Sequence, residues 1–145
     1  MVYTVKDFMT KTIYTVDCNA TVAEASKIML EKNVGYLIVL DGGQPVGMIS
    51  ERDVVFKVVA LGKDPTNVKV SEIMSKPLIT VDPDATISDA VDIMVKNGLR
   101  RIPVVKDGII YGVFTTRDLA AHFKEYEDKL VRDLLRSLSR FAIPF

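Results

Sequence analysis

The sequence predicts an α/β (α+β) fold made of two tandem copies of one small unit that pack face to face. Three observations predict it. Sliding the chain against itself by 65 residues aligns its halves without a gap, and sixteen of the fifty pairs formed by residues 5–54 and 70–119 are identical. Each copy then shows an amphipathic helical stretch, two short β-branched runs joined by a glycine turn, and a second helical stretch. A unit of about 55 residues holds too little apolar material for a good core of its own, so the two copies must share one.

The elements follow in order. Ile13 to Val16 and Leu78 to Val81 are short extended segments. Thr21 with Glu24, and Thr86 with Asp89, set a hydroxyl before a helix and a carboxylate three residues on, the pattern of a helix N-cap. Val22, Ala25, Ile28 and Met29 recur at the spacing of one buried helix face, as do Ile87, Ala90, Val91 and Met94. GYLIVL at 35–40 and RIPVV at 101–105 read as strands, and VGMIS at 46–50 and YGVFT at 111–115 as their hairpin partners, with turns at Asp41-Gly42-Gly43 and Asp107-Gly108. A second helix is expected from Glu51 to Leu61, stopped at Gly62, while its counterpart from Thr116 runs on much further. The polar stretch GKDPTNVK at 62–69 connects the copies. The division is then residues 1–65, residues 66–124 and a helical extension at 125–145.

Composition excludes several classes of function. With 48% hydrophobic and 26% charged residues the chain is globular rather than disordered. Nineteen basic residues balance nineteen acidic ones, so no overall field attracts nucleic acid or anionic lipid, and any anion site is local. The single Cys18 reads as a small semi-buried residue; it cannot form an internal disulfide or a thiolate metal cluster, which suits a reducing cytoplasm. MVYTVKDFMTK lacks a signal-peptide core, and no stretch approaches the roughly 20 apolar residues of a membrane span, so a cytoplasmic protein is expected. His122, without a neighbouring Cys or His, reads as a packed or surface residue rather than a metal ligand. One histidine, one cysteine and no P-loop leave no nucleophile–base set, so no catalysis and no required cofactor are expected.

The heptapeptides GMISERD (47–53) and GVFTTRD (112–118) carry the functional signal. Ser50 with Asp53, and Thr115 with Asp118, make capping boxes, which occur in many proteins for stability alone. Two further features need another explanation. Gly47 and Gly112 sit inside strands, where glycine often marks the close approach of another group. Arg52 and Arg117 place a cation in a first helical turn, the wrong end for the helix dipole unless an anion binds nearby. A helix N-terminus with a hydroxyl and an arginine suits phosphate, and an aspartate suits a ribose diol. An apolar slot between the sheets, lined by Tyr36, Ile38, Ile102 and Val104, would suit a flat base.

With the preceding stretches TVDCNATVAEASKIM and TVDPDATISDAVDIM, these motifs resemble the cystathionine-β-synthase (CBS) domain in tandem, a Bateman module, over roughly residues 5–124. The resemblance implies β-α-β-β-α units associated through their sheets with pseudo-twofold symmetry, binding adenosine-type ligands and regulating an attached or partner protein. It implies that Asp53 and Asp118 contact ribose, and that Ser50, Arg52, Thr115 and Arg117 approach phosphate or ribose. Base contacts fall to Thr15, Val16 and Tyr36 in one copy and to Thr80, Val81, Arg101 and Pro103 in the other.

The copies differ where Gly35-Tyr36 is replaced by Arg100-Arg101, an arginine pair suited to a multiply charged phosphate. Unequal sites are expected, with Asp118 the more important. From residue 119 an extended helix should carry Phe123, Tyr126, Leu130, Leu134, Leu138 and Phe141 along one side, in part packed on its own module and in part free to meet a second subunit of a homodimer. The expectation is an adenine-nucleotide sensor (AMP, ADP or ATP, with S-adenosylmethionine or NAD(H) as other candidates) acting on an unidentified protein in trans. Two alternatives stay open: an adaptor that works through its C-terminal helix, and a nucleic-acid-binding protein using Arg100, Arg101, Arg132, Arg136 and Arg140, which the zero net charge opposes.

Overall fold

The computed structural model describes residues 2–140, the last three as backbone alone. In the first copy, β1 (Thr15–Asp17), α2 (Val22–Lys32), β2 (Tyr36–Asp41) and β3 (Gln44–Ser50) follow a four-residue helix α1 (Val5–Phe8). β1 runs parallel and β3 antiparallel to the central β2. Then come α3 (Glu51–Val54), which continues as a π-helical turn over Val55–Val59, and another four-residue helix, α4 (Val70–Ile73). The second copy has α5 (Ile87–Asn97), the hairpin β4 (Arg101–Lys106) and β5 (Ile109–Thr115), and α6 (Thr116–Arg140).

Local chemistry explains these boundaries. Thr21 Oγ accepts the Glu24 N–H while the Glu24 carboxylate accepts the Thr21 N–H, so α2 starts with a full capping box. Thr86 accepts the Asp89 N–H at the start of α5. Both hairpins turn through two residues of positive φ, Gly42-Gly43 and Asp107-Gly108, which suits the twist of the flanking strands. Two expectations are corrected. The extended segment at 78–81 makes a single parallel bridge, Val81 to Val104, so the second sheet has two strands. The helix after β3 loses α geometry at Val55 and ends at Val59, before the left-handed Gly62. Asp82 and Pro83 turn the chain just after the bridge: the Ala85 N–H closes back on the Asp82 carbonyl.

The core comes in two clusters, and each borrows from the far end of a repeat. The first combines Val16, Val22, Ala25, Met29, Leu37, Val39 and Ile49 with Val70 and Ile73 of α4. The second combines Ile87, Ala90, Met94, Ile102, Val104 and Phe114 with Val5 and Phe8 of α1. The segment ahead of each copy therefore crosses to the other copy. Thr10 exchanges two 2.9 Å backbone hydrogen bonds with Val113 of β5, and Ser75 exchanges two (2.9 and 3.1 Å) with Met48 of β3.

This crossing explains the strand glycines. A Cβ on Gly112 would lie 2.5 Å from the Thr10 carbonyl oxygen, and one on Gly47 would lie 2.8 Å from that of Ser75. The group that approaches each glycine is the crossing backbone, not a ligand. Along α6, Leu119 and Tyr126 pack on the second core and His122 stacks on Phe8 at 4.7 Å. Phe123, Leu130 and Leu134 are exposed, so the stripe packs on its own module in part, while Phe141 and the Leu138 side chain lie outside the described residues. No helix among the described residues is long and apolar enough to cross a membrane.

Candidate functional site

Both heptapeptides fold as capping boxes. Asp53 Oδ2 accepts the Ser50 N–H at 2.9 Å and the Ser50 hydroxyl at 3.1 Å, and the Asp53 N–H donates back to Ser50 Oγ at 3.3 Å. Asp118 Oδ2 repeats this with Thr115 at 2.9, 3.0 and 3.0 Å. The remaining carboxylate oxygens differ. Asp53 Oδ1 faces Lys57 Nζ at 3.0 Å, whereas Asp118 Oδ1 accepts the hydroxyl of the crossing residue Thr10 at 2.6 Å.

A space of about 630 Å³ opens beside the first heptapeptide, within the range of small-molecule sites. Met48 and residues Ser50, Glu51, Arg52, Asp53 and Lys57 line it from the first copy; Ser75, Pro77, Leu78 and Ile79 from the crossing segment; Gly98, Leu99, Arg100, Arg101 and Pro103 from the second copy. Its lining mixes two chemistries. Met48, Pro77, Leu78, Ile79, Leu99 and Pro103 offer apolar surface, while Arg52, Lys57, Arg100 and Arg101 set four cations against the carboxylates of Glu51 and Asp53. A chain of zero net charge thus concentrates positive charge locally.

Of the residues singled out from the sequence, Ser50, Arg52, Asp53, Arg100, Arg101 and Pro103 come together here. The others do not line the cavity. Val16 and Val81 are core residues, Thr15 pairs with Ile38 in the parallel ladder, and Thr80 is exposed. Thr115 and Asp118 are occupied with each other and with Thr10, and Arg117 is exposed on the far helix. Tyr36 lies under Arg101, whose guanidinium carbon sits 4.5 Å from the ring centre. Burial pushes the Tyr36 phenol above its ordinary pKa, and burial pulls Arg101 below its own, with Arg100 adding to the effect. The expected slot between the sheets is corrected: Ile38, Ile102 and Val104 are fully buried and leave no opening there. Lys57 and the stretch Ser75 to Ile79 had not been singled out. For the crossing stretch a signal was present, because the self-alignment begins at residue 70 and includes it in the repeat, whereas Lys57 lies beyond the aligned residues 5–54.

Among the described residues no His, Cys, Asp and Glu cluster could hold a metal ion. His122 Nδ1 is buried without a hydrogen bond, 3.5 Å from Glu125. Burial, followed by the neighbouring Asp41, pushes the Cys18 thiol above its ordinary pKa, so it is a poor nucleophile.

A duplicated α+β unit with exchanged leading segments and a mixed apolar–cationic cleft between the copies defines a two-repeat module. The chain belongs to the CBS domain family: the CBS domain model matches residues 5–60 and 70–125, so the chain is a CBS domain pair, a class of regulatory module. Among relatives it is 37% identical over 123 residues to MK0525, an uncharacterized protein of Methanopyrus kandleri, covering 83% of this chain and 61% of that one. It is 36% identical over 118 residues to the CBS domain-containing protein YhcV of Bacillus subtilis, covering 81% and 84%. The CBS domain pair of MJ0100, solved in complex with 5′-methylthioadenosine and S-adenosyl-L-methionine, superposes with a TM-score of 0.76 at 29% identity over 86% of this chain and 98% of that one.

Proposed function

We propose that this CBS pair is a non-catalytic sensor of an adenosine-type ligand, held in the cavity beside Asp53, that signals to a partner protein in trans. The mixed lining of the cavity carries the reading: apolar surface for a base, a hydrogen-bonded aspartate for a ribose, and four cations for phosphate. The cation count favours AMP, ADP or ATP over S-adenosylmethionine, which has no phosphate and carries a sulfonium cation, while the diphosphate of NAD(H) meets the same cations. That MJ0100 binds adenosyl compounds supports the same ligand class. That Asp53 lines the cavity and Asp118 does not supports a reading in which Asp53 outweighs Asp118, the opposite of the order expected from sequence. A cytoplasmic homodimer is part of the reading, supported by exposed Val55, Phe56 and Val59 on one helix and Phe123, Leu130 and Leu134 on another. The same leucines favour a second reading, an adaptor that binds through α6 without any small molecule.

Thermal unfolding with each adenosyl compound in excess separates these. A ligand at about one hundred times its Kd adds roughly 2.7 kcal/mol, a rise of about 4–10 °C at this size. The sensor predicts such a rise for one compound, lost in Asp53→Ala. No rise for any compound, with partner capture abolished by Leu134→Asp, supports the adaptor instead.

A further inference from the structure

We infer that Lys57 reads the phosphate of the ligand and transmits its arrival to the crossing segment; the inference rests on the adenosine-site reading above. Lys57 lines the cavity, and its ammonium spans two partners: Asp53 Oδ1 at 3.0 Å and the Ile73 carbonyl oxygen at 2.8 Å. Asp53 belongs to the candidate ribose contact, and Ile73 ends the short helix that the crossing segment contributes to the first core. One side chain therefore joins the ligand site to a segment that lines the cavity again at Ser75 and Pro77.

In the second copy the same capping box forms without a cation. The counterpart of Lys57, 65 residues on, is His122, which stacks on Phe8. There the aspartate is satisfied by a neutral hydroxyl from Thr10. A capping carboxylate of this unit thus does without an ammonium, and the lysine is placed where the cavity is.

Competition at Asp53 supplies the mechanism. Oδ2 already accepts the Ser50 N–H and hydroxyl, so the two hydroxyls of a ribose diol fall on Oδ1 and compete there with Lys57. The freed ammonium, on a side chain 46% exposed, pairs with the phosphate alongside Arg52 and Arg100, and the Ile73 carbonyl loses its donor. A nucleoside without phosphate offers the ammonium no anion, so it binds without moving Lys57 away from Ile73. Charge on the ligand, rather than its base, becomes the signal.

Calorimetric titration with AMP and with adenosine tests this, alongside hydrogen exchange of the Ser75 amide, which donates to Met48. The wild-type chain should prefer AMP over adenosine by about tenfold or more, the scale of a charge-assisted contact. Lys57→Met should bring that preference within about threefold, and Lys57→Arg should restore it. AMP should change Ser75 exchange in the wild type and not in Lys57→Met. An unchanged preference in Lys57→Met, or Ser75 exchange indifferent to AMP, overturns the inference and leaves the adenosine site standing. Binding of neither compound overturns the site and the inference together.

Discussion

Arg101 stacks on Tyr36, and the two residues are counterparts 65 positions apart, so the pseudo-twofold axis of the molecule passes through a cation–aromatic contact between non-identical halves. A tandem repeat whose axis fell on two tyrosines or two arginines would be self-symmetric there. Here one copy gives the ring and the other the charge, and of the two Arg101 lines the cavity.

A double-mutant cycle on Arg101→Ala and Tyr36→Leu should return a coupling of about 0.5–2 kcal/mol, since the contact is partly desolvated. The same pair sets an alkaline limb. The folded protein keeps the Tyr36 proton above the pH near 10 at which an unfolded chain releases it. Its contribution is complete below that pH and falls as pH rises through the folded-state value. Urea midpoints measured from pH 9 upwards should decline less steeply in Tyr36→Phe than in the wild type.

Gly112→Ala and Gly47→Ala should each destabilise by about 1–3 kcal/mol, because the new methyl group meets backbone that is itself hydrogen-bonded. The closer approach, 2.5 Å against 2.8 Å, makes Gly112→Ala the larger loss. Equilibrium denaturation reads both. Equal and negligible losses would mean that the crossing segments yield easily.

Asp53→Ala and Asp118→Ala both remove a capping carboxylate and should cost stability alike, about 0.5–2 kcal/mol each. Their ligand responses should part: the nucleotide-induced rise in Tm disappears in Asp53→Ala and persists in Asp118→Ala. Loss of the response in both variants would place a second ligand contact at Asp118.

Thr10→Val removes the 2.6 Å hydrogen bond to Asp118 and should cost about 1 kcal/mol. In an Asp118→Ala background the same change should cost almost nothing, since the partner is already gone. Additive losses would show that Thr10 acts through the β5 bridge alone.

Much of the fold was legible because its signals are local. Thr21, Thr86, Ser50 and Thr115 cap helices where their spacing to an acidic residue says they should, and the Gly-containing turns close both hairpins. The crossing was not legible. Val5 and Val70 are identical, and each follows the same pattern in its own copy, so nothing in the sequence tells which core receives which segment. Four-residue helices such as α1 and α4 also carry too few turns for a periodicity to register. The candidate site was half legible for the same reason. The motif locates Ser50, Arg52 and Asp53, but the inequality of the two clefts turns on Thr10 against Ser75 and Lys57 against His122, single exchanges whose effect depends on the crossed packing.

The exchanged segments also change what dilution does to this molecule. A single repeat of this kind would have to find its missing segment on another chain, and its folding would then depend on concentration. Joined in tandem, the two donors and two acceptors meet at a fixed effective concentration set by the connector at 62–69. A bimolecular assembly has become unimolecular, so the cleft between the copies persists however scarce the protein is.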